Sequence, residues 1–169
     1  MFTLRCTQKL LKKLRIDGPL ESGIPSTVLG DWYANIIYTR QGHFILALSE
    51  KSFLPVVLSA RDLDNLVPRF RNQVVEVLSA LDIDDFSTKR ENVQMSPFYF
   101  GRTKSRVVLG SLNDFAYNFR YMLPFRESYS FLEWSMYLAE TPCGPLKYNT
   151  PLKETQSLFK NAIVQNKNV

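Results

Sequence analysis

The chain has 169 residues, of which 45% are hydrophobic and 22% charged, with only 7 Gly and 9 Pro; disordered, collagen-like and disulfide-scaffold classes are excluded. Lys and Arg number 21 against 16 Asp and Glu, a formal charge of +5, which permits an anionic partner without requiring one. A chain of this length can close one core without metal or disulfide staples, so residues 1–169 are expected to form a single domain. No apolar run approaches the ~20 residues that span a bilayer, and the first residues lack the apolar block of a signal peptide, so the expectation is a cytoplasmic protein with no membrane role.

Residues 2–6 read as a short strand, and Thr7 offers a hydroxyl N-cap to a helix whose Leu10, Leu11 and Leu14 share one face. Asp17-Gly18-Pro19 stops that helix, and residues 19–29 form a loop. Residues 32–40 and 43–49 are rich in aromatic and β-branched side chains, and Gln41-Gly42 between them fits a two-residue hairpin loop. In that register Ile37 faces Leu46 and Asn35 faces Leu48, with Phe44 on the same core side. The period of two puts Asp31, Tyr33 and Asn35 on this side as well, where buried polar groups need partners. A third strand covers 53–58.

Residues 62–81 carry Leu63, Leu66, Phe70, Val74, Val77 and Leu81 at helical spacing, with Pro68 tolerable near the first turn. Residues 82–91 are polar and compatible with a helical turn; 92–100 read as a strand, with Pro97 marking an edge or a bulge. The strongest helix is 105–123, where Val108, Leu112, Phe115, Phe119 and Met122 trace one stripe. A helix over 129–139, an extended loop over 141–151 and a terminal helix over 152–164 follow, with fraying beyond about 164. This order predicts an α+β domain: an antiparallel β-meander sheet with helices packed mainly on one face.

Basic residues gather at Arg5, Lys9, Lys12, Lys13 and Arg15, and again at Arg102, Lys104 and Arg106. Together in space they form a phosphate-binding patch; apart, they are a solvated helix face and a loop. Cys6 and Cys143 are read as free buried thiols, His43 is the only histidine, and neither a metal site nor a cofactor is expected. No phosphate-binding glycine loop, zinc signature or nucleophile elbow is present. The strand aromatics Tyr33, Tyr38, Phe98, Tyr99 and Phe100 lie in no basic RNA-recognition motif, and core packing accounts for them better than base stacking.

Two constellations could carry chemistry. On the 105–123 helix, Arg106, Gly110, Asn113, Tyr117 and Arg120 share one flank. Gly110 costs such a helix about 1 kcal/mol, and a close approach by a ligand or another backbone is a reason to keep it; the alternative is helix–sheet packing, with Asn113 and Asp114 bonded to loops. At 30–35, Asp31, Tyr33 and Asn35 offer a carboxylate, a phenol and an amide. An unpaired, core-facing Asp31 qualifies as a general base, whereas a structural Asp31 caps a turn or pairs with Arg5 or Arg106.

Arg5-Cys6-Thr7-Gln8-Lys9-Leu10-Leu11, Leu29-Gly30-Asp31-Trp32-Tyr33-Ala34-Asn35, Val108-Leu109-Gly110-Ser111-Leu112-Asn113-Asp114-Phe115-Ala116 and the stretch from Thr141-Pro142 through Gly144-Pro145-Leu146-Lys147-Tyr148 together resemble a bacterial family, the domain of unknown function 6933. The resemblance runs from Met1 to about Phe159 and implies a stand-alone bacterial cytoplasmic protein, with no activity attached. Its polar positions are Arg5, Thr7, Asp31, Tyr33, Asn35, Ser111, Asn113 and Asp114, converging either as a buried hydrogen-bond network or as a ligand pocket. The leading functional expectation is a non-catalytic binding module with a basic surface for an anionic partner such as nucleic acid. The alternatives are an enzyme acting on a small polar or phosphorylated molecule with Asp31 as general base, and a structural subunit whose protein partner covers apolar surface on 129–139, near Trp134 and Tyr137.

Overall fold

The computed structural model describes residues 1–167. Among these, five strands form one sheet in the order β4-β3-β2-β1-β5. In chain order, β1 (Phe2–Cys6) leads through α1 (Gln8–Leu14) to β2 (Trp32–Tyr38), β3 (His43–Ser49) and β4 (Pro55–Ser59). Then come α2 (Leu66–Ala80), α3 (Asp85–Gln94), β5 (Phe98–Arg102), α4 (Arg106–Met122), α5 (Phe131–Ala139) and α6 (Pro151–Lys167).

The sheet is mixed, which corrects the expectation of a purely antiparallel meander. β2, β3 and β4 are antiparallel neighbours, but β1 pairs in parallel with both β2 and β5. The cause is connection length: parallel neighbours need a crossover, and α1 with its following loop supplies one between β1 and β2, while α2 and α3 carry the chain from β4 across to β5 at the other edge, beside β1. Of the described strands, only β3 opposes the other four.

Helices cover both faces of the sheet, not mainly one, because the strands are apolar on both sides. Phe2, Leu4, Trp32, Ile36 and Ile45 share a core with Leu10 and Leu11 of α1 and Phe70, Val74 and Val77 of α2. The alternate residues Tyr33, Ile37, Leu46 and Leu48 pack with Val108, Leu112, Phe115 and Phe119 of α4 and with Trp134 of α5. Beside β4, the Val57 amide donates to Ser135 Oγ of α5 at 2.9 Å, which occupies a donor on the outermost strand.

The hairpin turns over four residues, with Tyr38 opposite His43, Ile37 opposite Phe44 and Asn35 opposite Leu46. Thr39 closes it by donating from both its amide and its hydroxyl to the Gly42 carbonyl. The register thus moves by two positions from that expected and every side chain keeps its face. Asn92–Gln94 belong to α3, and β5 begins at Phe98, so the strand expected over 92–100 is displaced towards the C-terminus. Residues 165–167, where fraying was expected, are helical, and Asn168 and Val169 lie outside the described residues. Among the described residues, no helix is long and apolar enough to cross a membrane.

Candidate functional site at the carboxyl ends of the parallel strands

The parallel register sets Arg5 beside Tyr33 on β2 and beside Gly101 on β5. Asp31, just before β2, has no exposed surface. Its Oδ2 accepts from Arg5 Nε at 2.8 Å and lies 2.7 Å from Arg5 Nη2, while Oδ1 accepts from the Thr3 amide at 2.9 Å. Arg5 Nη1 donates to the Arg102 carbonyl at 3.3 Å, which ties β5 into the same network. A Cβ at residue 101 would come within 2.6 Å of Thr3 Cγ2 and 3.4 Å of Arg5 Nη1, so this position requires glycine for close packing of the strands.

Tyr33 is buried, and its hydroxyl accepts from the Ser105 amide at 3.3 Å. Burial pushes the phenol above its ordinary pKa, helped by the Glu50 carboxylate. Thr7 donates to Asn35 Oδ1 at 2.8 Å and accepts from the Leu10 amide at 3.4 Å, the expected cap of α1. Five sequence candidates, Arg5, Thr7, Asp31, Tyr33 and Asn35, therefore gather on one side of β1 and β2, with Asp31 in the buried ion pair.

Above this network lies an edge with a distinctive topology. β1 and β5 are parallel neighbours; α1 leaves β1 towards one face, whereas α4 leaves β5 towards the other. In open α/β sheets the carboxyl ends of the strands at such a switch point are the usual ligand location. Arg102, opposite Cys6, is exposed there, as are Lys104 and Arg106 around the Ser105 cap of α4. Lys104 Nζ stands 3.9 Å from Glu50 Oε1. Lys9, in the first turn of α1, sits over the Tyr38 ring at 4.7 Å. Lys12 and Lys13 occupy the last turn of α1, where cations suit the helix dipole, and Lys13 and Arg15 border a cleft shared with Asp62 and Asp64. The basic residues of α1 thus divide between its two ends.

The α4 candidates do not join Asp31. Ser111 is buried and accepts from the Cys143 thiol at 3.8 Å, and with Asp114 it lines a cleft of about 140 Å³ against residues 141–145. Burial raises the Cys143 thiol, and it pushes the Cys6 thiol up to about 12. Arg106, Gly110, Asn113, Tyr117 and Arg120 are all exposed. Nothing lies within 4 Å of a Cβ built on Gly110, so no neighbouring backbone accounts for that glycine. On α5, Trp134 is buried, Tyr137 is half-buried and Phe131 is exposed.

A further cleft escaped sequence reasoning. It measures about 580 Å³ and lies between the loop at 26–28, α3 and α6, with Val28, Phe86, Arg90, Glu91 and Phe159 in its walls. Glu91 is buried and accepts the Val28 and Leu29 amides at 2.7 and 3.0 Å; burial raises its carboxyl above the usual range, and those two amides oppose the shift. The available signal was the spacing of Ser87, Thr88 and Glu91, which share one helical face. Among the described residues, no group of three or more His, Cys, Asp or Glu is placed to hold a metal ion.

These features define a class: a mixed α/β sheet clothed on both faces, with a closed Arg5–Asp31 bridge beneath a basic edge. The chain belongs to the family described as a domain of unknown function (DUF6933), which matches residues 3–154. No curated protein and no solved structure matches the chain.

Proposed function

We propose that the chain is a single-domain, non-catalytic binding module of the bacterial cytoplasm that engages an anionic partner at the carboxyl ends of β1 and β5. The observation carrying this reading is the set of exposed cations, Arg102, Lys104 and Arg106, at a point where two parallel strands send their helices to opposite faces. Thr7, just past the end of β1, and its partner Asn35 on β2 lie nearby. The enzyme reading has less support, since both oxygens of Asp31 are occupied and its surface is closed to solvent. A general base must reach the proton it removes.

Titration with inorganic polyphosphate, followed calorimetrically over a salt series, tests the proposal. Binding should weaken steeply as salt rises. Replacing Lys104 and Arg106 together by Glu should lower affinity about tenfold or more, while the same exchange at Lys12 and Lys13 should change it little. Absence of binding at low salt, or affinity indifferent to Lys104 and Arg106, rejects the reading.

A further inference from the structure

We propose that the exposed face of α4 binds single-stranded nucleic acid, with Arg102, Lys104 and Arg106 on the phosphates and Tyr117 and Tyr121 stacking on bases. The inference rests on the anion-binding reading and names its partner.

The rings are the first observation. Tyr117 is 72% exposed, Tyr121 64% and Phe125, just past the helix, 73%. Four-residue spacing aligns them as a ridge along the outer side of α4, and the Tyr121 and Phe125 rings lie 6.2 Å apart. A single exposed aromatic needs no explanation, but an aligned series sharing its helix strip with Arg106 and Arg120 does. Base–aromatic stacking suits this arrangement because every base presents a flat apolar face, whatever its identity.

Charge is the second. Arg106, Asn113, Tyr117 and Arg120 occupy one strip roughly 100° wide, so two cations bracket an exposed amide and a ring. Asp114 is the acid of α4 and lies at the margin of this strip. Glu50 is 3.9 Å from Lys104, a partly exposed contact that a phosphate can replace at little cost. From Arg106 to Tyr121 the helix rises about 22 Å, room for about four nucleotides, the lower end of single-strand site sizes.

Gly110 is the third. It lies inside the strip between Arg106 and Asn113, exposed and with nothing within 4 Å of a Cβ position. The helix there has a bare stretch of backbone, open to close approach by a sugar or phosphate. A duplex does not fit as well, since its stacked bases deny their faces to the rings. A protein partner could bury the rings, but it would not need Arg106 and Arg120, the exposed cations of the same strip.

The test compares fluorescence anisotropy of a labelled single-stranded oligonucleotide of about ten nucleotides with competition by a duplex of the same sequence and by polyphosphate of matched charge. The oligonucleotide should bind the full chain at least about tenfold more tightly than polyphosphate does. Y117A with Y121A should erase that advantage while leaving polyphosphate affinity unchanged. Both rings are exposed, so the variant keeps the core; circular dichroism and an unchanged unfolding midpoint verify it. Equal affinity for oligonucleotide and polyphosphate, unaffected by the ring substitutions, overturns this inference and leaves the anion-binding reading standing. Tighter binding of the duplex also overturns it, and no binding of any polyanion overturns both.

Discussion

Asp31 illustrates how much a single carboxylate can hold together in this sheet. Its two oxygens join β1 through the Thr3 amide and the Arg5 side chain, and Arg5 in turn reaches the carbonyl of Arg102 on β5. A buried ion pair gains little over an apolar pair of equal volume, but removing one partner strands the other charge. Asp31→Ala should therefore cost about 3–5 kcal/mol in urea unfolding, and a double variant with Arg5→Met should recover part of the loss. A cost near zero for the single change would mean that Arg5 finds another counter-charge. Gly110 predicts the opposite sign. With open space around its Cβ position, Gly110→Ala should stabilise the protein by up to about 1 kcal/mol, seen as a higher unfolding midpoint. Pairing of Asp31 with Arg5 was one of the alternatives readable from the sequence, because the period of two turned Asp31, Tyr33 and Asn35 inward. The parallel neighbour that supplies Arg5 was not readable, since a short strand carries no mark of its direction.

Among the elements, legibility followed amphipathicity. α4 is apolar on one stripe, and its span, cap and buried face all follow from periodicity. α3 reverses the pattern: Ser87, Thr88 and Glu91 are buried, whereas Phe86 and Val93 are 73% and 71% exposed. Hydrophobic pattern alone therefore misassigns it. The polar inner face works because Glu91 has backbone amides to accept from, which fixes the loop before β2 against α3. The carboxyl of Glu91 is raised above its ordinary value, so between those two values the folded chain holds a proton that the unfolded chain has released. Its contribution to stability is full below about pH 4.5 and falls as pH rises through the raised value. Asp84 and Glu133, lowered by the amides of Ser87 and Ser130, have the reverse sign and act on the acid side. Urea midpoints measured from about pH 4.5 to about pH 8 should decline for the native chain and decline less for Glu91→Gln. A decline of equal size in both would assign it to other groups.

At the scale of the whole molecule, the difference between the expected and the observed architecture comes down to β1. Local pairing of β2, β3 and β4 is legible because sequential antiparallel strands need only short turns. Insertion of β1 between β2 and β5 depends on two crossovers whose landing points no local pattern specifies. That insertion also creates the two-sided edge where the candidate site lies, so the part of the fold least readable from sequence is the part that assembles the cations.

The central position of β1 has a consequence for how the chain comes into being. Phe2 is completed on one side only by Phe98, its register partner in β5, 96 residues further along the chain. Until β5 emerges, β1 presents an unpaired edge beside β2. Closing so distant a contact is entropically slow, and the chain stays open to strand exchange until β5 docks. The Met1 nitrogen also reaches the Gln94 carbonyl, just ahead of β5, so the start of β1 is fastened at the same late step.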